Sequence, residues 1–546
     1  MAAVIAAAAT LRLANLAHNS LTHDECIRAN WSHHGDLNLF RWFPPGQLAL
    51  LWTLQHGIAR NEWVLRLPVA LLGILAVYLC FSIMRYRIGN WAAVLGSAYL
   101  ALHYHAVFYA RAAKEIGYEP VLTLLLIWAG ARAAESAAKS HIVVFFAAAV
   151  TGLLFGLSSI MVATAWGLLI LWSCWNNVQN GRRNLRLFLV LTVAFVPLVL
   201  AWYVWVSGCT FRQGTINYMG ERESAWPAAY SAFALMSWGL RNSLGLLRFS
   251  TGTLSLWQPI GPILLTVGGL LAFAGIGELW RRWPMFVKFA GALIAVNVVL
   301  AVAKKWPFGD YRMSVFLLPV FAPLFGCGLA YVLRNLRSAP ACVFLLLAWF
   351  IPAASQAASD TIVDPREYDH ARPVVNAMRQ HVQPGDAVLV YYAAGFSFDF
   401  YWSDPGAKVY VQDLGSRGRY DLYTAEFDTL ARSHPRVWVF FTHVYGDEGD
   451  AWAGYALAKG QVVHEFKSVD AFAYCVEIPA PTVAYGAVRQ EGPQTADIGD
   501  VGYSRFRYCV AGESHAGASL GHTTQLLARH IKDENPPACR VGGRSR

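Results

Sequence analysis

The first carboxylates of the chain fall in the stretch Thr22-His23-Asp24-Glu25-Cys26-Ile27-Arg28, directly after an apolar run. For roughly three hundred residues beyond it apolar stretches dominate, and a carboxylate in such company faces either water or a reaction. A carboxylate held there can take the proton of an attacking hydroxyl, and cations held opposite can stabilise a departing phosphate. Asp24 is the candidate for the first task. Arg111, Lys114 and Arg312 are the candidates for the second, with Lys304 and Lys305 weaker ones. The planar fork of Arg bonds two phosphate oxygens, whereas Lys acts as a point charge. Glu25 has two readings. Thr22-x-x-Glu25 spells a capping box, in which Glu25 bonds back to the start of its helix, and this is preferred. The other reading makes Glu25 a covalent nucleophile. Capping leaves Asp24 without a structural task.

The elements that must position these residues are apolar. The chain has 546 residues, 56% of them hydrophobic and 14% charged, with a mean hydropathy of +0.37. This excludes an ordinary soluble protein and implies a polytopic membrane protein. The formal charge of +10 does not call for a nucleic-acid partner, because Lys and Arg are spread over short loops between apolar runs. Nine cysteines include no CxxC pair and no zinc spacing. Cys475 with Cys509 is a candidate pair in an oxidising compartment.

Apolar runs near 1–17, 64–84, 91–110, 116–131, 141–157, 159–175, 185–206, 259–279, 285–303, 313–333 and 340–357 give about eleven spans. The first lacks a basic leader and carries Arg12, so it reads either as a truncated start or as a weak signal-anchor, in preference to a cleaved signal peptide. Alternate threading puts Arg85 with Arg87, Arg132 with Lys139, Arg182, Arg183 and Arg186, Arg281 with Arg282, and Arg334 with Arg337 on one face. By the positive-inside rule that face is cytoplasmic. The other face collects Asp24 and Glu25, His33, His34 and Asp36, Arg111, Lys114 and Glu115, the loop 207–230, and Lys304 through Arg312. Each base there alone reads as an interfacial anchor; together they read as an anion site. Residues 42–58 resemble a span, but counting them would invert every later loop. They are expected to form an interfacial helix opening at Pro44-Pro45.

The segments HDECIRANW, WFPPGQLALLW, EWVLRLPVALLGILAVYL, ALHYHAVFYARAAKEIGYEPVLTLLL and WPFGDYRMSVFLLPVFAPL occur in that order. Over roughly residues 20–335 they resemble the landmarks of the GT-C glycosyltransferases. The bacterial relatives of protein O-mannosyltransferases and of the lipid A aminoarabinose transferase are the most similar branch. The resemblance implies transfer of a sugar from a polyprenyl-phosphate donor to an extracytoplasmic acceptor, which is an envelope glycan, lipid or protein, by an enzyme of the bacterial inner membrane. It implies that Asp24 stands at the first-loop catalytic Asp, Lys114 near an Arg that follows the third span, and Arg312 at an Arg that opens a late span. One departure concerns metal. The aminoarabinose branch has a metal-binding acid just before the proline of its interfacial helix, where this chain has Arg41-Trp42-Phe43. His33, His34 and Asp36 are alternative ligands for a divalent metal, although a loop His pair is more often solvated. Trp42, Tyr109 and Tyr118 are candidate sugar-pocket residues, for which an interfacial role is preferred. With no second carboxylate reserved as a nucleophile, a single displacement with inversion is expected.

Beyond residue 358 the apolar runs shorten. The segments 386–392, 407–412, 436–443 and 461–466 read as buried strands, with helical patterns between the last three. The expected organisation is a transmembrane GT-C-like catalytic domain over 1–358, an extracytoplasmic α/β domain with a largely parallel sheet over 359–480, and a weakly structured tail over 481–546. No glycine loop for phosphate follows any strand, and His515, His522 and His530 share no ligand spacing. The alternative to a transferase is a transporter or flippase of lipid-linked glycans, which should place ionisable groups at mid-membrane and show inverted halves. A scaffold without catalysis is a third reading, which holds if Asp24 is dispensable.

Overall fold

The computed structural model describes residues 1–479 apart from 36–42, 177–180, 208–225, 228–229, 252–259, 310–311, 404–406 and 413–417. Asp36, Arg41, Trp42, Cys209, Cys509 and most of the loop 207–230 lie outside the described residues. So do residues 481–546, the expected tail.

Every apolar run of the sequence holds a helix. The membrane half comprises α1 (Ala2–Leu13), α2 (His23–His34), α3 (Pro45–Gly57), α4 (Glu62–Ile88), α5 (Asn90–Leu102), α6 (Tyr104–Tyr109), α7 (Glu119–Ser136), α8 (Lys139–Phe155), α9 (Ser159–Asn176), α10 (Gly181–Ser207), α11 (Ala232–Thr251), α12 (Gly261–Arg282), α13 (Pro284–Val302), α14 (Leu318–Asn335) and α15 (Ala339–Ala358). Among the described residues seven helices are long and apolar enough to cross a membrane, while the apolar segments Ala2–Leu13, Asn90–Leu102 and Lys139–Phe155 are shorter. The run 91–110 is broken at His103, whose extended backbone separates α5 from α6 and whose ring nitrogen Nε2 bonds the Phe249 carbonyl (3.0 Å). α3 has 13 residues, about 20 Å of helix against a hydrocarbon layer of about 30 Å, too short to span. α11 was not expected from the sequence, because Arg241, Asn242 and Arg248 interrupt its apolar pattern.

Two arginines in apolar surroundings find acceptors on distant backbone. Buried Arg12 donates to the carbonyls of Leu100 (3.1 Å) and Ala101 (3.0 Å), where α5 leaves acceptors without intrahelical partners. Arg66, inside α4, is taken up by Glu25 and by backbone oxygens. At the opposite end of the bundle the termini of α4, α7, α12 and α14 meet in an ionic cluster. Arg87 pairs with Glu135 (2.5 Å), and Glu278 pairs with Arg282 (3.0 Å) and Arg334 (2.6 Å). α14 packs so tightly on α12 that a Cβ at Gly328 would run into the Leu271 carbonyl.

The sheet follows α16 (Ala371–His381). Its strands are β1 (Ala387–Val390), β2 (Lys408–Val411), β3 (Arg436–Thr442), β4 (Gln461–Ser468) and β5 (Ala471–Glu477). Their order is β2-β1-β3-β5-β4. β1 runs parallel to β2 and β3, whereas β5 runs antiparallel to both β3 and β4. The expectation of a largely parallel sheet is therefore corrected to a parallel trio extended by an antiparallel hairpin. β5 escaped the sequence because, as an inner strand, it buries both faces and shows no alternation. α17 (Gly395–Tyr401), α18 (Tyr420–Ser433) and α19 (Glu448–Lys459) connect the strands. The bundle and the sheet have separate apolar cores. A smaller cluster joins them, in which Phe400 of α17 packs with Cys26 and Ala29 of α2, Leu51 of α3, Leu65 of α4 and Ala113.

Candidate functional site

α2 lies between the apolar bundle and the sheet, and its first turn carries two adjacent carboxylates with different surroundings. Glu25 is 1% exposed. Its Oε2 accepts the backbone N–H (3.0 Å) and hydroxyl (3.1 Å) of Thr22, completing the capping box. Arg66 adds a bidentate pair, Nε to Oε1 at 2.9 Å and NH2 to Oε2 at 2.8 Å. The Ala113 N–H donates to Oε1 at 2.8 Å. Burial works against the charged carboxyl, but Arg66 outweighs it and holds the group down to about 2. Glu25 has no lone pair left for a nucleophilic role, which corrects that alternative.

Asp24 is 34% exposed. Its Oδ2 accepts two charged donors, Lys114 Nζ at 3.0 Å and Arg312 NH2 at 2.8 Å. Lys114 stands between α6 and α7, next to the Ala113 amide that Glu25 anchors, so the buried carboxylate sets the register of the exposed one. Arg312 opens the short turn Arg312–Leu317 ahead of α14. Arg28, one helical turn after Asp24, donates NH1 to the Asp24 carbonyl (2.6 Å). Its Nε and NH2 grip Glu115 at 2.8 and 2.9 Å. Burial raises the Asp24 carboxyl, and Lys114, Arg312 and Arg28 together bring it well below the usual carboxylate range. Among the described residues Lys114 and Arg312 meet at Asp24 with Arg28 beside them, a grouping of cations suited to an anion.

The structure thus brings Asp24, Lys114 and Arg312 together. It does not bring Arg111 to them. The Arg111 guanidinium donates to the carbonyls of Leu11 (3.1 Å), Ala14 (2.5 Å) and Asn15 (3.1 Å), closing the C-terminal end of α1. It borders a polar cleft lined by Tyr104, Asp360, Arg366 and Tyr368 that also reaches Thr22, Glu25 and Arg66. Lys304 and Lys305 are exposed in the turn after α13 and make no ion pair among the described residues. His33 stacks on His56 (4.8 Å), and His34 lies 3.9 Å from Asp399. Among the described residues no group of three His, Cys, Asp or Glu side chains is arranged to hold a metal. Tyr118 is buried.

A second set of partners left no sign in the sequence. Asp369, between α15 and α16, accepts the His23 backbone N–H (3.0 Å) and lies 3.2 Å from His443 Nδ1. The His23 and His443 rings stack at 4.4 Å. Arg28 was within reach of sequence reasoning, since it stands four residues after Asp24 on the same helix face.

No protein-family model and no curated protein matches the chain. Solved structures do. ArnT from Cupriavidus metallidurans bound to undecaprenyl phosphate superposes with a TM-score of 0.52 at 15% identity, covering 87% of this chain and 97% of that one. Its apo form gives 0.52 at 14% identity, with the same coverage. This is the GT-C fold. An oligosaccharyltransferase of Archaeoglobus fulgidus in complex with zinc and sulfate is similar at a TM-score of 0.49 and 13% identity, over 86% of this chain and 72% of that one. The GT-C assignment agrees with the landmarks of residues 20–335 and makes the chain a polytopic membrane protein with a C-terminal sheet domain.

Proposed function

We propose that the chain is a glycosyltransferase that moves a sugar from a polyprenyl-phosphate carrier to a hydroxyl acceptor, with Asp24 as the base. The observation that carries this reading is the convergence of Lys114 and Arg312 on Asp24 Oδ2. Without donor the two cations neutralise Asp24 and leave it a poor base. A donor phosphate competes for them, and the carboxylate recovers proton affinity as they turn to the phosphate. Asp24 then takes the acceptor proton, the acceptor oxygen bonds to the anomeric carbon, and the carbon–oxygen bond to phosphate breaks. The electron pair departs on a polyprenyl phosphate held by Lys114 and Arg312. A single displacement of this kind inverts the anomeric centre. Glu25, Arg66 and Arg28 position the reacting groups.

Residues 1–358 are the catalytic membrane part in this reading, crossing eleven times, and 359–480 form an acceptor-side domain outside the cytoplasm of a bacterial inner membrane. The binding of undecaprenyl phosphate by ArnT supports a polyprenyl carrier. The test uses full-length protein in liposomes, synthetic undecaprenyl-phosphate sugars as donors and an envelope fraction as acceptor. Asp24→Asn is expected to lower turnover by about 10²–10⁴-fold while undecaprenyl phosphate still binds. Near-normal turnover by the variant sinks the assignment and returns the scaffold and transporter readings.

A further inference from the structure

Glu25 and Arg66 form part of the wall of the cleft that Arg111 borders, and none of Asp24, Lys114 and Arg312 lines it. The other walls are the chain after α1, helix α6 and the segment 357–368 that leaves α15. With that segment's first residues, α15 is long and apolar enough to cross a membrane. The end of α15 at the cleft therefore lies at a bilayer surface, among phosphate headgroups. The protein itself ties the walls to one another. Asn15 donates its amide to the Thr361 carbonyl (3.2 Å), and Asn19 donates to the Arg366 carbonyl (2.7 Å). Tyr368 meets Phe108 of α6 edge-on at 6.2 Å. A cleft held in this way is preformed, which spares a ligand the cost of ordering it.

Two guanidiniums reach the cleft from different walls. Arg111 spends NH1 on the carbonyls of Leu11, Arg12 and Ala14 and one NH2 hydrogen on that of Asn15. Its Nε–H and the second NH2 hydrogen have no partner among the described residues, and it forms no ion pair among them. Arg366 bonds the Tyr104 hydroxyl, lies 4.9 Å over the Tyr368 ring and keeps 50% of its side chain accessible. The carboxylates of the cleft are already engaged. Glu25 is saturated by Arg66, Thr22 and Ala113. Asp360 accepts from Gln356 through Oδ1 (2.9 Å), while its buried Oδ2 stands 3.9 Å from Arg366, beyond hydrogen-bond reach. Asp360 thus balances Arg366 in part, and Arg111 is left without a counter-ion. Burial, and after it Arg66, lower the Arg111 guanidinium to about 10, as befits a cation short of negative charge.

We propose that this cleft, lined by Arg111 and Arg366, binds a phosphate group and is a second phosphate site distinct from the one at Asp24. The two sites share no cation, so this one does not depend on Asp24 being the base. Arg forks pair with planar or tetrahedral oxyanions. A carboxylate is satisfied by one fork, whereas a phosphate has oxygens to offer to two forks carried on separate walls. Leu16, Val107 and Ala357 line the same cleft and supply apolar surface for a chain attached to the phosphate. The phosphate has two sources, a lipid headgroup at the bilayer surface or free phosphate from water.

The experiment titrates full-length protein in detergent micelles with dioleoyl phosphatidic acid and counts bound lipid by native mass spectrometry. Dioleoylglycerol is the control that lacks phosphate, and inorganic phosphate is the competitor. A Lys114→Gln, Arg312→Gln double variant removes binding at Asp24, so what remains belongs to the cleft. This variant is expected to bind phosphatidic acid and not dioleoylglycerol. Adding Arg366→Gln is expected to weaken that binding by about 10-fold or more, with the walls still tied because Asn19 holds the carbonyl and not the guanidinium at 366. Adding Arg111→Gln instead is expected to weaken it as much and also to lower the melting temperature, since the end of α1 loses its donors; Arg366 therefore decides. Displacement of the lipid by inorganic phosphate supports a site for phosphate itself, and retention of the lipid supports a headgroup site. Equal binding of the two lipids by the double variant overturns the proposal, as does Arg366→Gln with the affinity of its parent.

Discussion

Adjacent carboxylates on α2 have opposite surroundings, and what separates them is the number of donors each has collected. Glu25 is saturated by Thr22, Arg66 and Ala113, and its carboxyl is held near 2 against an ordinary 4.5. A depressed carboxyl adds stability that is present above its unfolded value and lost as pH falls through its folded one. For Glu25 the displacement corresponds to about 3 kcal/mol, available above pH 4.5 and vanishing towards pH 2. Thermal unfolding followed against pH checks this. Wild type is expected to weaken steeply below pH 4.5, whereas Glu25→Gln starts about 3 kcal/mol lower at pH 7, with Arg66 left unpaired, and lacks that share of the acid dependence. The capping box was legible because both its members lie within four residues. Arg66 and Ala113 were not legible, since nothing local in α4 or the loop 110–117 points to Glu25. Arg111 was placed at the phosphate for want of that information. It stands three residues before Lys114, and spacing alone cannot say that the intervening turn sends one cation to α1 and the other to Asp24.

That turn is the element on which the site depends. Between α6 and α7 it must deliver Ala113 to Glu25, Lys114 to Asp24 and Glu115 to Arg28 within three residues. It is held against α4 at Gly117, where a Cβ would fall on Val69 Cγ1 and lie 2.5 Å from the Tyr109 carbonyl oxygen. Overpacking of this kind costs roughly 1–3 kcal/mol, and here it displaces the segment carrying Lys114. Gly117→Ala is therefore expected to lower the melting temperature and to weaken undecaprenyl phosphate binding together. Gly277→Ala, in α12 with open space around it, is expected to do neither. Equal behaviour of the two variants, measured by thermal shift and lipid binding, removes the turn from the account. Helices of the bundle were legible as apolar runs because a span announces itself by composition. The break at His103 was hidden because it is made by a carbonyl contributed by α11, and β5 was hidden because burial on both faces erased its period.

At the scale of the molecule, the two ends of the bundle differ in what their charges do. At one end Arg87, Arg282 and Arg334 are matched by Glu135 and Glu278 in a compact ionic cluster. At the other, Asp24, Lys114 and Arg312 stand beside the sheet, and Asp369 and His443 reach His23, the residue before Asp24, from more than three hundred positions away along the chain. Contacts of that range leave no trace in one sequence, which is why Asp369 and His443 went unnoticed. The positive-inside rule predicts that the first end is cytoplasmic, and the consequence can be measured. In intact spheroplasts Lys304→Cys is expected to react with a membrane-impermeant maleimide, whereas Arg337→Cys, after α14, is expected to react only once the membrane is opened. The reverse pattern would put Asp24 and the sheet in the cytoplasm, and an outward-facing transfer from a lipid carrier would fall with it. If the expected pattern is found, α2 sits where a carrier lipid in the outer leaflet and a water-borne acceptor can meet, with the bundle guiding one and the sheet domain facing the other.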